Sequence, residues 1–157
     1  LHAITMTTAG TLVAANDSAL GTTASGTSIA SGATLDVQAN IGTEALTSAG
    51  GSILTTTGTG TVGGTVALTA SSTIGGDGTL ALNGVISGTG FGLTKTGSGT
   101  TTLSAANTYT GTTTVDAGNL TLAGGAAIVD TGAVVLNGTS ILTLSTSETI
   151  GSLAGVS

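Results

Sequence analysis

The sequence predicts an all-β solenoid, a single parallel β-helix spanning residues 1–157. Three features point there: short alternating runs bounded by turn residues, recurrence of those runs, and a core supply of small aliphatics. The runs include Thr34-Leu35-Asp36-Val37, Thr65-Val66-Ala67-Leu68, Thr79-Leu80-Ala81-Leu82, Asn119-Leu120-Thr121-Leu122 and Ile141-Leu142-Thr143-Leu144. Each places two aliphatics two positions apart, which in a strand puts both on one face. Asn83-Gly84, Asn137-Gly138, Gly75-Gly76-Asp77-Gly78 and Gly124-Gly125 punctuate them as turns. No helical period is present, and the 28 glycines would dismantle a helix.

Recurrence favours a solenoid over a sandwich or barrel. Ala9-Gly10-Thr11-Leu12-Val13-Ala14 matches Ala117-Gly118-Asn119-Leu120-Thr121-Leu122. Gly32–Val37 echoes Gly138–Leu144, and Ile41-Gly42 answers Ile150-Gly151. These matches describe a degenerate long repeat, residues 9–51 and 117–155. With one Phe, one Tyr and no Trp, the core has to be narrow and filled by Ala, Val, Leu and Ile. At about 20 residues per coil, six to eight coils are expected. Phe91 and Tyr109 belong near corners, where a ring has room.

Composition excludes several classes of function. Only 5% of residues are charged, and 36 of the 157 are Thr, so hydroxyls rather than ions hydrate the surface. The net charge is −6, with Lys95 the sole Lys and no Arg, which leaves no basic face for phosphates or an anionic membrane. There is no Cys, hence no disulfide framework and no thiolate metal site. No apolar stretch approaches the length of a membrane-spanning helix, and the aromatic girdles of a transmembrane barrel are missing. Absence of Pro, with a mean hydropathy of +0.54, argues against disorder.

Residues 86–122 carry the most specific pattern. They contain Gly88-Thr89-Gly90, Leu93-Thr94-Lys95-Thr96-Gly97, Gly99, Leu103, Asn107-Thr108-Tyr109-Thr110-Gly111, Thr113, Val115, Ala117-Gly118 and Leu120. This stretch resembles the autotransporter-associated β-strand repeat of bacterial autotransporter passenger domains. Two positions depart from the usual pattern: Thr101 replaces a Leu and Thr112 a second Gly. The resemblance implies a right-handed parallel β-helix, exported by a Gram-negative bacterium to the cell surface or beyond. It implies no particular activity, because such repeats build many different passengers.

Candidate chemistry is sparse, so a non-enzyme without catalytic, cofactor-binding or metal-binding residues is expected. His2 is the only His and lies at the chain start, with no Gly-x-Ser-x-Gly elbow to serve. The resemblance implies that Lys95 is a routine, solvent-facing strand residue rather than half of a Ser-Lys pair. Asp17, Asp36, Glu44, Asp77, Asp116, Asp130 and Glu148 are single and widely spaced, although stacking could bring Asp116 and Asp130 together. Gly75–Gly78 is an isolated fragment of a calcium repeat, better read as a corner. No Gly-Lys-Ser/Thr follows any glycine-rich stretch. Sequons at Asn16, Asn119 and Asn137 are explained by the abundance of Ser and Thr. The runs Thr55–Thr57, Thr100–Thr102 and Thr112–Thr114 look too irregular for the matched Thr ranks of an ice-binding face.

The expected role is therefore a structural stalk or fibre segment, with an adhesin using a Thr/Asn-rich face as the alternative. Its partners would be copies of itself or neighbouring repeats, and, in the alternative, glycans or host and abiotic surfaces. Neither nucleic acid nor membrane insertion is expected. The start at Leu1-His2 reads as internal or processed. Neither terminus shows the polar cap of a closed solenoid, so head-to-tail stacking is anticipated.

Overall fold

A computed structural model describes residues 3–21 and 25–156. His2 and the rest of the chain's first dipeptide lie outside the described residues. Among those described, the regular elements are all strands, wound into about seven coils of a parallel solenoid. The first two coils hold β1 (Ile4–Met6) and β2 (Gly10–Ala14), then β3 (Thr27–Ala30) and β4 (Ala33–Val37). The next three coils have three strands each: β5 (Leu46–Ala49), β6 (Ser52–Leu54) and β7 (Thr59–Val62); β8 (Val66–Ala70), β9 (Ser72–Gly75) and β10 (Thr79–Leu82); β11 (Ile86–Ser87), β12 (Leu93–Thr96) and β13 (Thr100–Leu103). Two coils follow with β14 (Thr113–Val115) and β15 (Asn119–Leu122), then β16 (Ala133–Asn137) and β17 (Ile141–Leu144), and β18 (Ser152–Val156) starts another turn. At about 4.8 Å per coil the stack is about 30 to 40 Å long.

Three sheets form the walls. Sheet A runs β1-β3-β5-β8-β11, sheet B β2-β4-β6-β9-β12-β14-β16-β18, and sheet C β7-β10-β13-β15-β17. All strand pairs within them are parallel. Alternation sends every second side chain inward, and register stacks like on like. Sheet B's inner rank is Leu12, Leu35, Ile53, Ile74, Lys95, Val115 and Leu136, at steps of 18 to 23 residues. In sheet C the rank Val62, Leu82, Leu103, Leu122 and Leu144 faces the same interior. Apart from Lys95 and the half-exposed Leu144, these ranks make one continuous aliphatic core. Phe91 and Tyr109 both sit in connections between strands, as expected for rings in a narrow tube.

The two members of the long sequence match occupy different walls. Gly10–Ala14 lies in sheet B, whereas Asn119–Leu122 lies in sheet C. The structural period is the single coil. Corners are set by stacked backbone: Gly97, at φ +75°, sits on Gly76, so a Cβ there would strike the Gly76 carbonyl.

Thr101 replaces an aliphatic in the second inner rank of sheet C, between Leu80 and Leu120. It is fully buried, and its hydroxyl has no hydrogen-bond partner. An unmade bond in an apolar wall costs stability, and Val has nearly the same shape without the hydroxyl. Thr101→Val should raise unfolding stability by about 1–2 kcal/mol, read from the urea midpoint at unchanged slope. A loss of stability would show that the hydroxyl is satisfied in solution.

Candidate functional site

Lys95 is the first correction. A solvent-facing position was expected, but the residue is fully buried. The cause is parity: Leu93 points inward, so Lys95 two positions on does too. Its stem takes the place of an aliphatic between Ile74 and Val115. Nζ donates to the carbonyls of Thr96 (2.8 Å), Gly97 (2.8 Å) and Ala117 (3.2 Å). Three acceptors meet the three protons of an ammonium, and Ala117 belongs to the next coil. Burial pushes the Lys95 ammonium below its ordinary pKa, and the Asp77 charge partly restores it. Lys95 is thus a staple across a corner, with its head turned into the backbone.

The acids follow a common rule: most accept hydrogen bonds from a neighbouring coil. Asp77 Oδ1 accepts from the Ser98 amide (2.8 Å) and hydroxyl (3.0 Å), which hold its carboxyl below the usual range. Glu148 accepts from the amides of Ala127 (3.1 Å) and Ile128 (2.7 Å). Asp17 accepts from the Asn40 amide at 3.2 Å. Asp116 accepts from Asn137 Nδ2 at 2.7 Å; its cross-coil partner is this Asn, while Asp130 sits exposed in the turn before β16. Glu44 is buried and accepts from the Thr27 hydroxyl at 2.9 Å. No group of three or more His, Cys, Asp or Glu gathers among the described residues.

The most concentrated polar geometry surrounds Asp36, which is only 3% exposed. Asp36 and Gln38 point to the same side, two positions apart at the end of β4. Register places Asp36 beside Leu54, which sets Gln38 beside Thr56 on the next coil. Asp36 Oδ1 accepts from the Thr56 amide at 2.9 Å. Oδ2 accepts from the Thr56 hydroxyl at 2.6 Å and from Gln38 Nε2 at 2.8 Å. Nε2 also approaches Thr56 Oγ1 at 3.2 Å. A carboxylate only accepts, so the amide edge facing it is the nitrogen. Spacing in the sequence gave no sign of this cluster, because its members meet only through coil register.

A second buried polar group sits where no strand bridges the coils. Asn107 Oδ1 accepts from the Ile86 amide (2.7 Å) and Nδ2 donates to the Ala127 carbonyl (2.8 Å). The side chain thus substitutes for ladder bonds on both neighbouring coils. Tyr109 is fully buried beside it, its hydroxyl 2.8 Å from Thr113 Oγ1.

The outer face of sheet C is ordered in a way the sequence concealed. One outward rank is Thr59, Thr79, Thr100, Asn119, Ile141, and the other is Thr61, Ala81, Thr102, Thr121, Thr143. Thr100 and Thr102 belong to this face, whereas Thr101 points inward and Thr55–Thr57 and Thr112–Thr114 lie elsewhere. Only β7 and β13 carry Thr at both outward positions, with Ala81, Asn119 and Ile141 interrupting the ranks, so sheet C also lacks the Thr pair on every coil that an ice-binding face needs.

Residues 93–126 match the family model described as Passenger-associated-transport-repeat. The matched stretch covers β12 to β15 and includes the buried polar positions Lys95, Thr101, Asn107, Tyr109 and Thr113. This match agrees with the autotransporter passenger repeat that residues 86–122 resemble. No curated protein and no solved structure matches the chain.

Burial is the main reason that Tyr109 is pushed up from 10.0 to about 12. A folded-state pKa above the unfolded value keeps its full stabilisation below about pH 10 and loses it as pH rises to about 12. That loss amounts to about 3 kcal/mol at ~1.4 kcal/mol per tenfold change in proton affinity. Lys95, shifted down, acts oppositely and gains as pH approaches its ordinary value. Alkaline unfolding should therefore steepen above pH 10, and Tyr109→Phe should flatten that limb in a pH series of urea melts.

Proposed function

We propose that the chain is a structural segment of the passenger of an exported, surface-associated protein of a Gram-negative bacterium, and that it has no catalytic role. The family repeat at residues 93–126 carries this reading. That repeat sits within an unbroken ladder, Leu93 pairing with Thr113 on one side and with Ser72 on the other. Buried polar groups support it as well. Lys95 and Asn107 direct their donors and acceptors at the backbone of adjacent coils, where they hold the stack together.

Further coils fit the same reading. Leu144 and Leu153 continue inner ranks, yet they are 52% and 58% exposed. Another coil laid on them, from neighbouring repeats or from a second copy, would cover both and pair with the β18 edge.

The Thr ranks on sheet C favour a second reading, an adhesive face for glycans or for another surface. Five coils present hydroxyls and an amide at one spacing, a repeat that a polymeric ligand would match.

On intact cells of the producing bacterium, an antibody against residues 93–126 should label the surface, and external protease should remove the label. Labelling only after lysis would overturn the passenger reading. A glycan array then separates the roles: background signal supports the stalk, and a hit abolished by Thr100→Ala with Thr102→Ala supports the adhesive face. Sedimentation should show concentration-dependent association of the purified chain if copies stack. A monomer at all concentrations would confine stacking to repeats of one polypeptide.

A further inference from the structure

The corner formed by Asp36, Gln38 and Thr56 contains more than a hydrogen-bond ladder requires. It has a hydroxyl, a carboxamide and a buried carboxylate in mutual contact. One oxygen, Asp36 Oδ2, touches both the Thr56 hydroxyl (2.6 Å) and the Gln38 amide nitrogen (2.8 Å). The hydroxyl oxygen is in turn 3.2 Å from that nitrogen, whose bonded neighbour is the electrophilic carbon Cδ. Asp36 is held in place by the Thr56 amide on its other oxygen. These are the parts of an acyl transfer: a nucleophile, a base on its proton, and a leaving group within reach of the same base.

We propose that this corner forms an intramolecular ester between Thr56 Oγ1 and Gln38 Cδ. Asp36 Oδ2 takes the hydroxyl proton as Oγ1 bonds to Cδ, giving a tetrahedral intermediate with the negative charge on Oε1. The intermediate collapses as the Cδ–Nε2 bond breaks, and Asp36 returns the proton to Nε2. The nitrogen leaves as ammonia with its two original protons and the one from Thr56. No oxidant, metal or co-reactant is needed, and Asp36 ends as it began. Thr56 is exposed, so ammonia escapes to solvent, and its dilution draws the exchange forward. Gln38 and Thr56 are 18 residues apart on adjacent coils, so the product is a covalent rung between the second and third coils.

The same molecule provides the contrast. Among the described residues, two other carboxamides meet a hydroxyl across coils, Asn83 with Ser104 (2.8 Å) and Asn119 with Thr143 (2.9 Å). In both, the carboxamide accepts the hydroxyl proton through its oxygen, and no carboxylate hydrogen-bonds to either partner. They are ladder contacts and lack the base. Among the described residues, only the Asp36 corner combines all three groups.

The test is the intact mass of the folded, purified chain, followed by peptide mapping. The expected result is a mass lower by one ammonia, with the peptides containing Gln38 and Thr56 joined and then released by hydroxylamine. Asp36→Asn and Thr56→Ala should keep the full mass calculated for each variant, while Thr56→Ser, which retains a hydroxyl, should still form the link. A wild-type mass equal to that of the sequence after prolonged incubation in the folded state overturns the proposal, whatever the variants do. Loss of ammonia that maps to a single peptide, as cyclisation at Asn83-Gly84 or Asn137-Gly138 would give, overturns it equally.

Discussion

Coil-on-coil register is the constraint on which the rest of the molecule depends. In a parallel ladder every backbone group bonds to the coil before or after it, so each side chain must suit its in-register neighbours. A rank such as Leu35, Ile53, Ile74 is stable because each member covers the next with apolar surface. The same rule determines what a corner admits. Where Gly97 lies on Gly76, backbone meets backbone and no Cβ fits between them.

Register also explains how a chain with so few charges keeps polar groups inside. Lys95 interrupts an aliphatic rank, yet its ammonium ends among three carbonyls of a corner. Asn107 lies where the strands are interrupted and restores the missing bonds through its amide. Thr101 is an exception: its hydroxyl faces an apolar wall and finds nothing, and Glu44 Oε2 and Ser140 Oγ are likewise without a partner. A buried polar group is accepted here when register brings it a partner, backbone for Lys95 and Asn107 or a hydroxyl for Glu44, and is a defect otherwise.

Much of this was legible in the sequence. Alternating runs marked the strands, glycine pairs marked corners, and residues 86–122 announced the repeat. Lys95 was misplaced because its charge suggested the surface, although its spacing from Leu93 already placed it inside. The Thr ranks were missed for another reason. Coil length varies from 18 to 23 residues, so residues that share a face have no constant spacing in the sequence. The Asp36 corner was invisible on the same ground. Asp36 and Gln38 are near neighbours, but Thr56 joins them only once the third coil is laid down. The long match between residues 9–51 and 117–155 reflects a pattern that suits any wall of the tube, since its members occupy different sheets.

The way the hydrogen bonds are laid out bears on how such a rod responds to force. Strands run around the tube, so their bonds point along its axis. A pull on one end of the chain does not shear the whole stack at once. It loads the few bonds of the outermost coil, peels that coil away, and then meets the next as a fresh barrier of similar height. Extension would proceed in steps of one coil, each releasing about 20 residues of slack, or about 70 Å of extended chain. A rod of this kind lengthens many times over before its last coil yields, and it absorbs work at each step.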